Sequence, residues 1–558
     1  MSPRSPMAEL PSHDVFNMPS LIGDQDLWAS DKTLQDWVAA MGADWAAPLL
    51  AELGLEAGAE ATFDLAHDAN RFGPESKAFD RHGMRLNAVA YHPAYHDLMD
   101  LAIRHRVHNF AWSHDRAGAH VGHAALTYLF SQAEGGVMCP MAMSYSVMPS
   151  LAATPELADI WRPRLLSDRY DRRDIPAAEK SGALIGMFMT EKQGGSDVRA
   201  NTTTARPLGS DTGPGAEYRI DGHKFFCSAP MCDAFLVLAG TGNGGVSCFL
   251  LPRWRPDGTR NGLMLQRLKD KLGNRSNAST EMEFVDAYAV MVGEEGRGIR
   301  TIIDMVALNR LYCAMSSAAL TRQALVQALH HTGHRSAFQK RLIQQPMMRA
   351  VLADLAVESE GALALGLRTA KAVDTGGRDE QERALARILT PIAKYWNTKR
   401  APYAVFEALE CHGGPGYVEE SPMARLYREA PLNSIWEGSG NIMCLDVLRA
   451  IDREPAALDA FFAELEAASG GDARLDEAIQ EIRDELAAPN ALEGRMRGLV
   501  ELMALALQAA LMLRHGDAAV AAAFIGSRLG RRWRGAFGTL PADADLDAIL
   551  ARAMPSQG

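Results

Sequence analysis

The feature that most constrains the fold is a change of hydrophobic period along the chain. From Thr33 to about Ser181, and again after Gly296, apolar residues recur mostly at helical spacing. Between about Gly182 and Gly293 the pattern changes to short alternating or apolar runs broken by Gly, Asn, Asp and Pro, which is typical of strands and turns. This succession predicts an α+β protein, mainly α, with a β-domain packed between two helical blocks.

The same changes of texture predict five segments in the 558 residues. They are an N-terminal arm at 1–32, a helical domain at 33–181, a β-domain at 182–295, a second helical domain at 296–450 and a helical tail at 451–558. The tail is acidic, with eleven arginines against seventeen carboxylates, and so carries half of the net charge of −12. An acidic chain is a poor general binder of polyanions, although a local basic patch remains open.

Cysteine usage and apolar runs indicate the cellular compartment. The seven cysteines are scattered and include no C-x-x-C pair, which predicts reduced thiols in a cytoplasmic protein without a disulfide framework or a metal site. The first residues, MSPRSPMAELPSHD, contain no apolar core of a secretory signal. The longest apolar run, 502–513, is shorter than the ~20 residues of a membrane helix, so we expect no membrane association.

One glycine-rich motif resembles a nucleotide fingerprint. The sequence GTGNGG at 240–245 matches G-x-G-x-x-G, but a dinucleotide site requires a helix to follow the loop. Here an apolar run at 235–239 precedes the motif and another at 247–251 follows it. We therefore predict a β-hairpin, whose turn uses the positive φ angles that glycine adopts readily.

Two segments are candidates for a site on residue chemistry alone. The segment MTEKQGGSD at 189–197 places two glycines before Ser196 and Asp197, in a loop that could hold a phosphate or a ring edge, or be only a polar β-turn. The segment IWEGSGN at 435–441 places Glu437 between an aromatic residue and a flexible backbone. In an apolar niche this carboxylate would have a raised pKa and serve as a general base. The alternative is a helix-start Glu stabilised by the helix dipole.

Taken in order, the strings MTEKQGGSD, GHKFFCSAP, RSAF, ECHGGPGY and SIWEGSGNI resemble the acyl-CoA dehydrogenase superfamily of flavoproteins. The closer resemblance is to its AidB-like members, which belong to the bacterial response to DNA alkylation. It rests on LKDKLGNRSNAS, LIQQP and LYREAPLNSIWEGSGNIMCLDVLR and runs from about His13 to Leu448. One departure is Lys192, which stands where the superfamily loop usually has Pro. The resemblance implies an N-terminal helical domain, a β-barrel-like domain, a four-helix domain and an added helical tail.

The resemblance also implies bound FAD, between the β-domain and the second helical domain. Cys227 stands where AidB-like proteins have an aromatic residue, and Gln339 replaces the usual Gly after Phe338. Arg335 and Phe338 would reach the FAD of a neighbouring subunit. The residues implied to bind FAD are Met189, Thr190, Glu191, Gly195, Ser196, Asp197, Val198, Phe226, Cys227, Ser228, Arg335, Phe338, Gly413, Gly414, Ile435, Trp436, Gly438, Ser439 and Asn441.

Glu437 occupies the position of the catalytic base in this resemblance. It would remove the α-proton of an acyl-CoA thioester while a β-hydride passes to the flavin. Some branched-chain members place the base on an earlier helix, in an E-R pair that here reads Asn309-Arg310. Because Asn cannot accept the proton, Glu437 has no visible rival. Arg310 would either position the loop of the base or form an interhelical salt bridge.

The AidB-like resemblance further implies a homotetramer whose C-terminal domain binds double-stranded DNA. A helix face with Arg528, Arg531 and Arg532 would suit phosphates, but such clusters are more often solvated or intersubunit faces. These three and Arg534 flank Trp533, and Arg495, Arg497 and Arg514 lie upstream. Three hypotheses follow. They are an AidB-like FAD protein that dehydrogenates a short or branched acyl-CoA and associates with DNA, an ordinary acyl-CoA dehydrogenase without a DNA role, and a non-catalytic flavin protein that shields DNA.

Overall fold

The computed structural model describes residues 12–488, 491–530 and 533–555. Its N-terminal region is helical, and Leu98, Leu101 and Ala102 lie on the buried face of its fourth helix as their spacing predicts. The sequence pattern missed a short hairpin within this region, whose exposed first strand carries little hydrophobic signal. The elements are α1 (Lys32–Ala40), α2 (Ala47–Ala57), α3 (Glu60–Arg71), β1 (Glu75–Phe79), β2 (Arg85–Ala90), α4 (Pro93–Arg104), α5 (Phe110–Ser113), α6 (Ala119–Ala133), α7 (Met138–Ser146), α8 (Met148–Leu151) and α9 (Pro155–Leu165).

The central region is a sheet that closes on itself. Its strands are β3 (Ile185–Phe188), β4 (Thr204–Pro207), β5 (Glu217–Ser228), β6 (Ala234–Gly240), β7 (Val246–Pro252), β8 (Leu263–Leu268) and β9 (Ser279–Val292). Strand β6 pairs with β4, β4 with β5, β5 with β9, β9 with β7, and β7 again with β6. Strand β3 adds beside β6 and β8 beside β9. This closure gives the β-barrel-like domain and leaves few free edges.

The glycine-rich motif forms the predicted hairpin. Gly240 pairs with Val246 where β6 turns antiparallel into β7. Gly242, Gly244 and Gly245 have φ angles of +87°, +93° and +72°. Because a strand and not a helix follows the turn, the motif does not form a dinucleotide site.

Long helices return after the barrel. They are α10 (Gly298–His334), α11 (Pro346–Thr375), α12 (Glu380–Glu410), α13 (Pro422–Glu429) and α14 (Gly440–Arg453), with a small hairpin of β10 (Ser336–Ala337) and β11 (Lys340–Arg341) after α10. Helix α10 packs against α6 and α7 on one side and against α11 and α12 on the other. It is therefore the central helix that joins the two helical blocks.

The acidic tail packs onto these helices. Its helices are α15 (Pro455–Glu466), α16 (Ala473–Ala487), α17 (Met496–His515), α18 (Ala518–Arg528) and α19 (Leu546–Ala553). Helix α17 contacts α11, α12 and α14, and Arg368 on α11 pairs with Glu464 on α15 at 2.8 Å. The segment Leu492–His515 is long and apolar enough to cross a membrane by length and composition, but 72% of its apolar window is buried in the protein. Burial in the core accounts for its apolar composition.

Candidate active site

Glu437 lies in a strained loop between a 3-10 turn at Leu432–Ser434 and the start of α14. The backbone φ is +58° at Glu437 and +101° at Gly438, so two successive residues adopt the left-handed conformation. For a residue with a Cβ this conformation costs about 1–2 kcal/mol. Backbone strain of this kind persists where surrounding contacts impose it, and it concentrates at functional sites.

Two buried cations impose this loop shape. Arg310 Nε on α10 donates to the Glu437 carbonyl at 3.1 Å. Lys394 Nζ on α12 donates to the next carbonyl, that of Gly438. Both cations therefore hold main-chain oxygens, which leaves the Glu437 carboxylate without a salt bridge among the described residues.

The electrostatic setting suits a general base. Burial raises the pKa of Glu437 to about 7, although the charges of Arg310 and Lys394 oppose the shift. The alternative role, a helix-start carboxylate, would lower the pKa through the helix dipole. Glu437 also lies two residues before the N-cap of α14, Ser439, and hence outside the helix. The geometry favours the base over the helix-start role.

Arg310 performs both roles that the sequence left open. Its Nη1 pairs with Asp446 on α14 at 2.6 Å, and Asp446 also pairs with Arg387 at 3.0 Å. Because its guanidinium binds Asp446 and the loop carbonyl, Arg310 positions the loop of the base. Its neighbour Asn309 is buried, with Oδ1 accepting from Ser146 and Nδ2 without a partner in the described chain.

Lys394 was missed by the sequence reasoning, because it lies 43 positions before Glu437 and carries no local motif. Its side chain is completely buried, and burial lowers its pKa to about 8. A buried ammonium group is costly unless it is hydrogen-bonded. Its hydrogen bond to the Gly438 carbonyl therefore suits a role in fixing the loop.

We expect Lys394→Met to slow the base-dependent reaction and to shift its pH profile upward. The variant leaves the buried Gly438 carbonyl without its donor, which costs about 1–3 kcal/mol. The positive charge of Lys394 lowers the pKa of Glu437. Removing that charge raises the pKa of Glu437, so the pH range over which the rate increases shifts to higher pH. The measurement is the pH dependence of substrate-driven flavin reduction. The control is Lys371→Met, because Lys371 is a partly buried lysine on another core helix, α11. An unshifted profile would contradict this role.

The loop at 189–198 contains a tight turn that is followed by exposed polar residues. Gly194 donates its N–H to the Glu191 carbonyl at 3.0 Å, which closes the turn, and Gly194 has φ +148°. A Cβ at Gly195 would lie 2.5 Å from Thr190 Oγ1, so only glycine allows this approach. Ser196 and Asp197 are exposed beyond the turn, with Met189, Thr190 and Val198 partly buried. The exposed polar atoms beyond the turn are thus available to a ligand.

Glu191 differs from the prediction that it binds the cofactor. Its side chain is completely buried, and its carboxylate pairs with Lys224 at 2.8 Å. It also accepts from the N–H groups of Thr202 and Thr203 at 2.7 and 3.2 Å. Burial alone would raise its pKa, but these donors outweigh burial and lower the pKa to about 2. Glu191 therefore shapes the loop from inside, and its carboxylate cannot touch a cofactor.

Strand β5 supplies the aromatic side chain expected beside the flavin, but one of its three predicted contacts differs from the prediction. Phe226 is 49% exposed, and Ser228 is partly buried beyond it. Cys227 between them is completely buried, because side chains alternate across a strand. The predicted contribution of Cys227 to the flavin wall is therefore limited to its main chain. All seven cysteines lie within the described residues, and all are buried and free.

Behind Ser228 runs a hydrogen-bonded chain that the sequence did not reveal. Ser228 Oγ lies 3.1 Å from Ser279 Oγ on β9, and Lys271 Nζ donates to Ser279 Oγ at 3.1 Å. Burial lowers the pKa of Lys271 to about 8. These hydrogen bonds fix the orientation of the Ser228 hydroxyl at the edge of the surface that Phe226 forms.

A second group of predicted residues lies at the far end of α10. The β10–β11 turn places Phe338 and Gln339 at φ +51° and +67°, so Gln adopts the conformation for which the resemblance implies Gly. The Phe338 side chain is 92% exposed. Arg335 donates to the Asn17 carbonyl of the N-terminal arm at 2.8 Å. The hairpin thus presents an aromatic side chain to solvent on a strained turn.

Gly413 and Gly414 belong to this second group. His331, four residues before Arg335, and His412, directly before Gly413, have ring centroids 4.6 Å apart. A Cβ at either glycine would meet nothing within 4 Å. Arg310 and Arg335 are 25 positions apart, close to 37 Å at about 1.5 Å per helical residue. One extended FAD therefore cannot touch both the base loop and this end of the same chain.

The residues that flank the base present a mixed surface. Ile435 is 64% exposed, and Trp436 Nε1 donates to Asn433 Oδ1 at 2.9 Å. Ser439 is exposed. Asn441 Oδ1 accepts from Arg497 of α17 at 2.8 Å, so the tail touches the edge of the site.

Among the described tail arginines, Arg528 does not lie on the helix face that the sequence predicted. Arg528 is buried between Asp354 and Glu358, at 2.8 Å from the latter. Helix α18 ends at Arg528, and Arg531 and Arg532 lie outside the described residues. Several others are engaged within the chain: Arg495 with Glu485, Arg497 with Asn441, Arg514 with Glu464, and Arg534 with the Trp533 carbonyl. Arg528 therefore belongs to neither a phosphate-binding face nor a solvated or intersubunit face.

The residues present fit a flavin cofactor. The half-exposed ring of Phe226 offers an apolar wall, and the hydroxyls of Thr190, Ser196 and Ser228 offer donors at its edge. The open space at Gly413 and Gly414 would admit a ligand against bare backbone. This combination matches a planar ring with one polar edge joined to a phosphate-bearing tail.

Family models cover most of the chain. The models described as "Adaptive response protein AidB N-terminal domain", "Acyl-CoA dehydrogenase, middle domain" and "Acyl-CoA dehydrogenase, C-terminal domain" match residues 17–172, 186–287 and 296–451. The tail beyond residue 451 lies outside these matches.

Individual proteins give the same result. The chain is 46% identical over 486 residues to AidB of Escherichia coli (strain K12), covering 87% of this chain and 88% of that protein. The structure of Caenorhabditis elegans ACDH-11 in complex with C11-CoA matches with a TM-score of 0.82 at 25% identity, covering 93% and 91%. An acyl-CoA dehydrogenase complexed with FAD from Bacillus anthracis matches at a TM-score of 0.63 and 16% identity, covering 89% and 92%. At that identity the last likeness is one of fold.

Proposed function

The chain belongs to the acyl-CoA dehydrogenase family, as an AidB-like member, and from this premise we propose that it oxidises a short or branched acyl-CoA to its α,β-enoyl thioester. It is an FAD-dependent oxidoreductase by membership of this family. Isovaleryl-CoA represents the proposed substrate class. The choice of a short or branched chain rests on the sequence resemblance.

Each protein group has a distinct task in the proposed reaction. Glu437 removes the proton at the carbon α to the thioester carbonyl, and Arg310 and Lys394 hold the loop so that its carboxylate stays in place. The bound flavin supplies the hydride acceptor that no side chain can provide. Ser228, oriented by Ser279 and Lys271, would donate to the ring edge, and Phe226 would cover its face. Most of the rate enhancement in such an arrangement comes from alignment and exclusion of water.

The single observation that carries this proposal is the conformation and environment of Glu437. A carboxylate with a pKa near 7, on a left-handed loop clamped by two buried cations, has the properties of a general base at neutral pH.

The test is an anaerobic titration of the yellow protein with isovaleryl-CoA and several straight-chain acyl-CoAs, with the flavin absorbance as readout. We expect rapid bleaching by at least one thioester. A flavin that keeps its absorbance with every thioester would overturn the proposed activity. Failure to bind FAD at all would overturn the cofactor site.

We expect the rate of flavin reduction to rise with pH, to be half-maximal near pH 7 and to level off about one pH unit higher. Only the deprotonated Glu437 accepts the substrate proton, and burial raises its pKa to about 7. Below that pKa the deprotonated fraction, and hence the rate, falls roughly tenfold per pH unit. Stopped-flow reduction at saturating acyl-CoA across the range of enzyme stability measures the profile. A rate constant independent of pH below 7 would contradict it.

We propose that the active protein is an oligomer, a tetramer by the AidB-like resemblance. The support is the length of α10, which keeps Arg335, Phe338 and the open glycines too far from Glu437 to contact the same FAD. A second copy would supply this end to the cofactor. Phe338→Ala should weaken FAD binding without altering the surroundings of Glu437, and the sedimentation coefficient gives the number of copies.

DNA association stays a prediction from the resemblance. With Arg528 buried and other arginines engaged within the chain, the described tail offers no specific support for it. A shift of duplex DNA that weakens steeply with salt would support the role. No shift at low salt would exclude it.

A further inference from the structure

A cavity of about 510 Å³ lies between the N-terminal helices and the barrel. Its walls come from strand β2, helix α4, the segment 164–184 and the connection between β5 and β6. The volume is within the range of pockets that enclose small organic ligands. The described residues that line it include none of those proposed to bind FAD or to serve as the base. The cavity therefore shares no residue with the proposed site, although Ala229 in its lining directly follows Ser228.

One side of the cavity is apolar and aromatic. Tyr91 and Tyr95 stack with ring centroids 4.0 Å apart and 13° between their planes. Met99 and Ile103 on α4 and Pro140 on α7 continue this wall. A flat or aliphatic ligand body would gain contact area here at the expense of water.

The opposite side carries an excess of positive charge. Three carboxylates in the lining are each paired with a cation: Lys180 with Asp233 at 2.7 Å, Arg173 with Asp171 at 2.6 Å, and Arg253 with Asp174 at 3.0 Å. Arg164, Arg169 and Arg172 also line the cavity and have no carboxylate partner within the described part of the chain. The lining as a whole therefore favours an anion.

Three buried polar atoms of lining residues lack a partner in hydrogen-bond geometry. They are Tyr91 Oη, His108 Nδ1 and Arg164 Nε, among the residues that the structure describes. The other Arg164 nitrogens donate to the carbonyls of Ile160 and Ala178. Buried polar atoms are rarely left unpaired in folded proteins, and each such case calls for an explanation.

The chemistry of these atoms specifies the ligand. Burial raises the pKa of Tyr91, so its hydroxyl stays protonated and donates. Arg164 Nε is a cationic donor. Burial lowers the pKa of His108 to about 4, which keeps the imidazole neutral, and its Nε2 faces the Ser167 carbonyl at 3.0 Å. Two donors beside an aromatic wall match one anionic acceptor on an apolar body.

We propose that this cavity binds a small organic carboxylate, with its apolar body along Tyr91 and Tyr95 and its carboxylate accepting from Arg164 and Tyr91. A hydrogen bond from a charged donor to a carboxylate is among the stronger polar contacts in proteins. This carboxylate would be a ligand in addition to FAD and acyl-CoA.

The test is isothermal titration of the FAD-loaded protein with 2-naphthoate and with its neutral amide, 2-naphthamide. We expect one naphthoate per chain and at least roughly tenfold weaker binding of the amide, the effect of losing a charge-assisted contact. Equal binding of the two, or no naphthoate binding with a Kd below about 1 mM, overturns the proposal.

Variants locate the site. Arg164→Gln should weaken naphthoate binding roughly tenfold and leave naphthamide unchanged. Arg162→Gln, two residues earlier on α9 and exposed, is the matched control and should bind as the parent protein does. Tyr91→Phe removes only a hydroxyl and should weaken naphthoate binding several-fold, which keeps the test valid if Arg164→Gln does not fold. If naphthoate binds all three variants with parental affinity, the cavity is not its site.

Discussion

Glu437→Gln should abolish acyl-CoA-driven flavin reduction while the protein stays yellow and folded. Gln has the size of Glu but cannot accept the α-proton. The contact of residue 437 with Arg310 is made by its main-chain carbonyl and is retained. Positioned general bases contribute about 10²–10⁴-fold to rate, so we expect the reduction rate constant to fall by about 10³-fold or more. Stopped-flow absorbance under anaerobic conditions measures it.

Two controls establish whether the slower flavin reduction in Glu437→Gln is due to the loss of the base alone. Glu420→Gln, which changes an exposed carboxylate outside the base loop, should reduce at the parental rate. An unchanged flavin spectrum in Glu437→Gln would show that the cofactor site is intact. If the variant still bleaches within tenfold of the parental rate, another group removes the proton and Glu437 is not the base.

Arg528→Met should strongly destabilise the C-terminal half of the protein. Arg528 is buried between Asp354 and Glu358, and both carboxylates are also buried. Removing one partner of a buried ion pair leaves uncompensated charge, which costs about 3–5 kcal/mol in free energy of unfolding. Urea-induced unfolding followed by circular dichroism measures the loss.

The pH dependence of this effect has a definite sign. Burial alone would raise the pKa of Glu358, but Arg400 and Arg528 outweigh burial and lower it to about 2. Because the folded-state pKa is depressed, the stabilisation is present above the ordinary value of 4.5 and is lost as pH falls toward 2. The deficit of Arg528→Met should therefore shrink at acidic pH.

Arg449→Met on α14, an exposed arginine, is the matched control and should unfold like the parent protein. Combining Arg528→Met with Asp354→Asn should recover part of the lost stability, because Asp354 then carries no unpaired charge, whereas Glu358 keeps Arg400 as its partner. A parental unfolding midpoint in Arg528→Met would mean that Arg528 does not hold the tail to α11.

The local pattern was sufficient for the architecture but not for the choice of the base. The change from helical to alternating period located the barrel, and the apolar runs on either side of 240–245 identified the hairpin. An aromatic residue, a carboxylate and glycine adjacent in sequence made Glu437 a candidate, but this spacing left a helix-start role open, and the family resemblance supplied its assignment as the base. The exposed β1–β2 hairpin escaped notice because it has little hydrophobic alternation.

Residues that act across long sequence separations could not be predicted in this way. Lys394 reaches Gly438 from α12, and Lys271 reaches Ser228 only through Ser279. Glu191 resembled a cofactor ligand in sequence, but its pairing with Lys224 on β5 turns it inward. Arg528 resembled a phosphate contact, but packing against α11 buries it.

The sequence by itself determined the succession of helical and β regions and the acidic tail, because these depend on composition and on residue types at short, regular spacing. Only the tertiary structure decided which charges are buried and paired, which loop is strained, and where a cavity remains. Those outcomes depend on which distant segments pack together, and the free energy of a buried charge is set by neighbours that the local sequence does not name.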